Sequence, residues 1–233
     1  MQGIILAAGK GSRMGNIDVP KCLLEINGIP IIKHQIDSFK KNGINDIIVV
    51  TGYKSEMIHN LLNDEVEYVH NSKFNEMNNI YSVWLAIQKL HDDFMCVYGD
   101  LIFDQEILKK CLEIKEDIGL MVEPNTRDET MKVKIEDGKI ISVNKKIEHE
   151  IADGNFIGMA KFSKNIIKIL SDEINELIMK NIDGYYTLGI ESLIKKNMHV
   201  GYQFTNGLSW MDMDEINEFE EAKKKFSDRR DLN

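Results

Sequence analysis

Short apolar runs alternating with helix-periodic stretches fill the first hundred residues, and this alternation restricts the fold more than any other feature. Gln2–Ala7, Asp46–Thr51 and Phe94–Tyr98 suit strands buried on both faces, and Val66–His70 supplies another. Between them, Ile31–Asn42 carries Ile32, Ile36 and Phe39 on one face, with Asn42-Gly43 as its stop. Ser55–Asn63 reads as a short helix. Asn79–Leu90 gathers Ile80, Val83, Trp84, Ile87 and Leu90 on one face behind Asn78, a suitable N-cap. Such alternation predicts a mainly parallel mixed sheet covered by helices on both faces, a three-layer α/β/α arrangement.

The character changes at Gly119. Short strand-like pieces follow, Gly119–Glu123, Met131–Glu136, Ile140–Asn144 and Phe156–Phe162, so residues 119–162 read as a small β-rich subregion. Asp137-Gly138 marks a hairpin turn between Lys132–Glu136 and Lys139–Asn144. Helical patterns return at Asn165–Met179 and Thr187–Lys196, then a strand at Val200–Phe204. A last helix, Glu215–Phe226, precedes a charged end at 227–233 that is expected to fray. With no internal repeat and no linker, 1–233 is expected to be a single domain.

Composition excludes several roles. Thirty-eight acidic residues against 29 basic ones give a net charge of −9, which disfavours a nucleic acid or an anionic membrane as partner. No stretch is long and apolar enough to span a bilayer, and Met1–Leu6 lacks a signal peptide's basic start, so the cytoplasm is expected. Cys22, Cys96 and Cys111 show no zinc or disulfide spacing; Cys96 and Cys111 read as buried packing thiols. His149-Glu150 is not a zincin motif, and the other histidines show no metal spacing.

A ligand-binding loop follows the first strand: Leu6-Ala7-Ala8-Gly9-Lys10-Gly11-Ser12-Arg13-Met14-Gly15, then Pro20-Lys21-Cys22-Leu23-Leu24. Its small residues admit a ligand close to the backbone, whose successive N–H groups can cradle an anion, and Lys10, Arg13 and Lys21 add three cations. Neither common phosphate motif fits. A dinucleotide fingerprint would need glycine where Met14 stands, and a P-loop would need Gly-Lys-Ser/Thr opening a helix.

A metal site is the second constellation. Asp100 follows the strand Phe94–Tyr98, where open α/β sheets bind ligands. Trp210-Met211-Asp212-Met213-Asp214 offers two carboxylates that strand alternation puts on one face. Hard oxygen donors without a histidine cluster suit Mg²⁺ held between protein and phosphate. The plainer readings are a turn aspartate for Asp100 and a helix N-cap for Asp214, and a cap could coexist with a ligand role.

Leu-Ala-Ala-Gly-x-Gly-x-Arg followed by Pro-Lys-x-Leu-Leu resembles the motif of nucleotidylyltransferases that activate sugar phosphates and related small phosphates. Asn78–Ser82, Met131-Lys132-Val133 and Phe156–Phe162 are similar to one branch, the CTP:phosphocholine and CTP:2-aminoethylphosphonate cytidylyltransferases. The resemblance covers nearly the whole chain and implies a Rossmann-like nucleotidyltransferase fold with its acceptor bound by the β-rich subregion. By this reading no hexapeptide-repeat domain of the kind some relatives carry is expected after the last helix. Leu6, Ala7, Ala8, Gly9 and Gly11 would hold the base and triphosphate, with Arg13 and Lys21 as catalytic cations on the phosphates. Asn79 and Ser82 would add to nucleotide binding, although both types are also ordinary at a helix start. Asp100 and Asp214 would bind Mg²⁺, with Asp212 as a supporting acceptor.

The implied reaction transfers CMP from CTP to a small phosphate or phosphonate, releasing pyrophosphate. The attacking oxygen is already anionic, so no general base is required, in keeping with a chain that shows no Ser–His arrangement. The obstacle is repulsion between anions, about 4 kcal/mol for unit charges ~4 Å apart at an effective dielectric near 20. The branch resemblance also implies an acceptor bearing an ammonium group. Tyr185, Tyr186 and Phe156 could face a quaternary ammonium, while Asp153 or Glu191 could bind a primary one. Core packing is the plainer role for these aromatics. The branch pattern has an acidic residue after Gly154, where this chain has Asn155. A sugar-1-phosphate nucleotidylyltransferase using UTP, dTTP or CTP, an enzyme for another small phosphate such as a phosphorylated amide, and a non-catalytic nucleotide-binding regulator stand as alternatives. The sequence is compatible with a homodimer.

Overall fold

A computed structural model describes residues 1–11, 14, 18–126 and 130–226. In chain order the elements are β1 (Gln2–Ala7), β2 (Glu25–Ile26), β3 (Ile29–Pro30), α1 (Ile31–Lys41), β4 (Asp46–Thr51), α2 (Ser55–Leu62), β5 (Glu67–His70), α3 (Asn79–Ile87), β6 (Phe94–Tyr98), β7 (Leu101–Phe103) and α4 (Gln105–Leu112). They continue as β8 (Ile118–Glu123), β9 (Lys132–Glu136), β10 (Lys139–Asn144), β11 (Gly154–Phe162), α5 (Ile167–Met179), α6 (Thr187–Lys195), β12 (Val200–Phe204), β13 (Trp210–Asp212) and α7 (Ile216–Phe226).

Among the described residues nine strands form one sheet in the order β5-β4-β1-β6-β11-β8-β12-β10-β9. The first four run parallel, as their strand–helix alternation predicts. From β11 onward the sheet is mixed: β11 runs antiparallel to both β6 and β8, and β12 runs parallel to β8. The expected hairpin is present, with Asp137 and Gly138 both at positive φ and β9 paired to β10 around them. That hairpin extends the main sheet, and β9 also meets Gly154 and Asn155 of β11.

Side-chain alternation sends Ile4 of β1 to one face and Ile5 to the other, and so builds two cores. The first lies under α3, α5 and α6, the second under α1, α2 and α4. A third, smaller core seats α7 through Phe219, Ala222 and Phe226 on Ile26, Ile31, Ile102 and Met211. The three layers are those expected. Cys96 and Cys111 are fully buried packing residues.

Some boundaries move for local reasons. α1 ends at Lys41 in a Schellman turn, with Gly43 N donating to Lys40 O and Ile44 N to Phe39 O. α3 stops at Ile87 because Lys89 N and Leu90 N turn back to Ala86 O and Ile87 O in the tighter i→i+3 pattern. Asn78 stands at the N-cap of α3, but its amide group does not cap; its Nδ2 donates to Asp183 Oδ2 at 2.7 Å. The sheet's connections decide where a ligand goes. From β1 the chain proceeds outward to β4 and β5, then returns to β6 on the other side of β1. The carboxyl ends of β1 and β6 thus flank a topological switch point, where open α/β sheets leave a crevice.

Candidate active site

The crevice at that switch point opens into a cleft of about 480 Å³. Within it lie Leu6, Ala7, Ala8, Gly9 and Gly11 from the first loop, Asn79 and Ser82 from α3, Asp100 after β6, and Asp212 and Asp214 around the end of β13. Lys21, Phe156 and Tyr185 line it as well. Thus residues singled out in the sequence meet from distant segments, Lys21 and Asp214 being 193 positions apart.

Two close approaches shape the loop. Gly99 packs against β1 so tightly that a Cβ would lie 2.7 Å from Leu6 O. This keeps Asp100 beside the loop. Gly11 has φ +65°, and a Cβ there would strike the Lys21 stem at 2.7 Å, so the loop admits Lys21 only because Gly11 lacks a side chain. Lys21 starts a short 3-10 turn, Lys21–Leu23, whose Cys22 is buried against the second core. From there Lys21 Nζ donates to Asp214 Oδ1 at 2.7 Å and to Asp100 Oδ2 at 3.3 Å.

Asp214 is presented by a cap. Glu218, in the first turn of α7, accepts from the backbone N–H groups of Asp214 and Glu215, both at 2.8 Å, in the manner of a capping box. Asp214 is therefore not the N-cap that the sequence allowed, and its carboxylate turns to Lys21. Asp212 ends β13, opposite Leu101.

The electrostatics follow from this crowding. Burial pushes the Asp212 carboxyl up to about 6, and Asp100, Asp214 and Glu218 add repulsion. Burial also raises Asp100, with Asp214 pushing the same way and Lys21 opposing. Burial alone would lower Lys21, but Asp100 and Asp214 outweigh it and hold the ammonium charged above its ordinary range. Two carboxylates from separate elements thus converge on one cation. Among the described residues no three Asp, Glu, His or Cys groups close around one point. Asp100 and Asp214 are hard oxygen donors that could hold an ion completed by substrate oxygens, which is how Mg²⁺ is usually held.

Other expected residues are placed differently. Arg13 lies outside the described residues. Asp153 is away from the cleft: its Oδ2 accepts from Ile135 N at 2.7 Å and pairs with Lys134 at 3.0 Å, so it pins β9. Glu191 accepts from Val143 N at 2.7 Å and from Ser142 Oγ, fastening α6 to β10. Tyr186 is fully buried in an aromatic cluster with Tyr98, Phe156 and Phe162, and only Phe156 and Tyr98 of that cluster reach the cleft. Asn79 Oδ1 accepts from Tyr186 N at 2.9 Å, and Ser82 Oγ accepts from Asn71 Nδ2 at 2.9 Å. Neither of them caps α3.

Three further cleft residues were not singled out in the sequence. Asn71 is buried just beyond β5, and its position at a parallel strand's carboxyl end could have marked it. Thr130 donates to Asn155 Oδ1 at 2.8 Å. Lys145, after β10, donates to Tyr185 Oη at 3.1 Å and lies 4.5 Å from that ring's centroid.

Comparison with known proteins agrees with this fold. Residues 3–140, more than half the chain, match the family described as the MobA-like NTP transferase domain. The chain is 27% identical to the CTP:phosphoglutamine cytidylyltransferase of Campylobacter jejuni, over 94% of this chain and 98% of that protein. It is 25% identical to the choline-phosphate cytidylyltransferase of Haemophilus influenzae, over 99% and 100% of the respective chains. Its fold superposes on the CTP:phosphocholine cytidylyltransferase LicC of Streptococcus pneumoniae with a TM-score of 0.78 at 22% identity, covering 97% of this chain and 98% of that one. No described helix is long and apolar enough to cross a membrane. The chain belongs to the MobA-like NTP transferase domain family and is a nucleotidylyltransferase.

Proposed function

We propose that the protein transfers CMP from CTP to a small acceptor through the acceptor's phosphate or phosphonate oxygen, in a Mg²⁺-dependent reaction, and that the acceptor bears an amine. The observation that carries this reading is the convergence of Asp100, Asp214 and Lys21 beside the glycine-rich loop. The cytidylyl preference and the amine rest on the relatives, two of which are named for CTP or for choline phosphate.

In this reaction an anionic acceptor oxygen bonds to the α-phosphorus, the bond from that phosphorus to the α–β bridging oxygen breaks, and pyrophosphate leaves with the electron pair. No proton need move. The backbone of Ala7–Gly11 binds the triphosphate, and Asn79 and Ser82 line the nucleotide side. Asp100 and Asp214 would hold the ion, with Asp212 behind them. When bound, Mg²⁺ supplies positive charge to the reacting phosphate oxygens. Lys21, fixed by the same two carboxylates, lowers the repulsion between the reacting anions and steadies charge gathering on the leaving group.

A panel of the four common NTPs against phosphocholine, 2-aminoethylphosphonate and several hexose-1-phosphates, followed by pyrophosphate release, tests this reading. CTP with an amine acceptor is expected to turn over fastest. Faster turnover of any hexose-1-phosphate than of both amines removes the amine assignment, and equal use of UTP removes the cytidylyl assignment.

A further inference from the structure

The charges lining the cleft are segregated. Asp100, Asp212, Asp214, Glu215 and Glu218 all belong to the side built by β6, β13 and α7, with Lys21 among them. The opposite side is built from the starts of β9 and β11, the end of β10 and the segment before α6. Among the described residues its one charged lining group is Lys145, set among Met131, Phe156 and Tyr185.

Among the described residues no carboxylate pairs with Lys145, and its ammonium is steadied by the hydroxyl and ring face of Tyr185. Among the described residues, the two carboxylates expected on this side are committed elsewhere, Asp153 to Ile135 N and Glu191 to Val143 N. Asn155 brings no charge, and both ends of its amide are used, accepting from Thr130 Oγ1 and donating to Asn125 O. A neighbouring hollow that shares Met131, Lys145 and Tyr185 with the cleft is lined by Lys146 and Lys195 as well, with Glu191 beside Lys195.

We infer that the acceptor carries a carboxylate in addition to its phosphoryl group and amine, and that Lys145, with Tyr185, is the seat that selects it. This rests on the transfer reaction proposed above and adds the acceptor's second anionic group to it. An exposed lysine held over a ring is pre-positioned, so little side-chain order is lost when it meets a carboxylate.

The test uses a matched pair of acceptors, phosphoethanolamine and O-phosphoserine, which differ only by a carboxylate. With CTP and Mg²⁺, the KM of phosphoethanolamine is expected to exceed that of O-phosphoserine by roughly tenfold in the wild-type protein. Lys145→Met should bring that ratio near one, and Lys145→Arg should keep most of it. The same ratio is read without turnover, as a ratio of Kd by calorimetry in the presence of α,β-methylene-CTP. If transfer fails while the binding ratio holds and collapses in Lys145→Met, the proposed reaction is wrong and the carboxylate seat stands. A wild-type ratio near one or below in both readouts, or one that Lys145→Met leaves unchanged, overturns the inference.

Discussion

Lys21 stands where two carboxylates would otherwise face each other across a partly buried gap, and removing any one of the three unbalances the other two. Replacing Asp100 or Asp214 by Ala is expected to lower turnover by about 10²–10³-fold with the circular dichroism spectrum retained; near-normal pyrophosphate release by both variants in excess Mg²⁺ would remove the metal assignment. Lys21→Ala should lower kcat by a larger factor than it weakens CTP binding, because the charge it meets is greatest in the transition state. Loss of CTP binding by calorimetry with kcat at saturation unchanged would make Lys21 a binding residue only. Gly11→Ala should cost about 1 kcal/mol of stability in urea unfolding, since it strains a left-handed residue, and should also displace the Lys21 stem. At this scale the sequence was legible where chemistry is local. Lys21 sits beside Pro20 in a compact motif, and Asp100 follows a recognisable parallel strand. Asp153 resembles Asp100 in flanking a strand and a glycine, yet it precedes the antiparallel β11 and so faces Ile135 of β9 instead of the ligand. Lys145 has no local mark at all, being one lysine in a polar turn that only the packing of β10 against α6 brings to Tyr185.

Between β8, β11 and β13 a chain of buried polar contacts links the two sides of the cleft. Glu123, the last residue of β8, accepts from Thr205 Oγ1 at 2.6 Å, from Trp210 Nε1 at 3.0 Å and from Asn125 Nδ2 at 2.7 Å. Asn125 O accepts from Asn155 Nδ2, and Asn155 Oδ1 from Thr130. Burial alone would raise the Glu123 carboxyl, but Thr205, Trp210 and Asn125 outweigh it and hold it below its ordinary value. Glu123→Ala leaves those donors unpaired and is expected to cost about 2–3 kcal/mol in urea unfolding, with Glu123→Gln costing roughly half. Equal stability of Glu123→Ala and wild type would show that the network holds nothing together. Such links are long-range, and no periodicity announces them. The elements themselves were legible where an apolar run is bounded by turn chemistry, as in β1, β4, β6 and the Asp137-Gly138 hairpin. Three pieces near the site carried too little pattern. β7 and β13 span three residues each, and they form a strand pair only because Asp104 N and Met213 N donate to Ser209 O and Asp100 O at its two ends. α4 is a short helix whose signals, Asp104 Oδ1 accepting from Glu106 N and the buried Ile107, Leu108 and Cys111, are confined to eight residues.

Taken whole, the protein is acidic, and much of its tertiary attachment runs through carboxylates that bridge separate elements. Glu173 of α5 binds Lys196 and accepts from Ser192 Oγ at 2.5 Å, tying α5 to α6. Glu65 binds Lys33 and Lys40 of α1. Asp153 pins β9, as described. Burial raises Glu173 and Glu65, but their lysine partners, with Ser192 for Glu173, outweigh it, and both sit below their ordinary value. Asp153 is lowered too, first by the N–H of Ile135 and then by Lys134. A carboxyl lowered by folding binds its proton more weakly in the native state than in the unfolded chain, so acid favours unfolding. The stability these groups contribute is complete above their unfolded values, 4.5 for glutamate and 3.8 for aspartate, and disappears as pH falls through the lower folded values. Urea unfolding should therefore show little change in the free energy of unfolding from these groups between about pH 7 and pH 6, then a decline that steepens below about pH 5. Glu173→Gln should lower stability at neutral pH and flatten the decline, because its proton uptake is removed from the balance. The exposed Glu176→Gln, on the same helix and paired with Lys180 at 3.5 Å across solvent, should change neither by more than about 0.5 kcal/mol. A pH dependence in Glu173→Gln as steep as that of the wild type would show that the link between α5 and α6 rests on apolar packing and that Glu173 adds nothing to it.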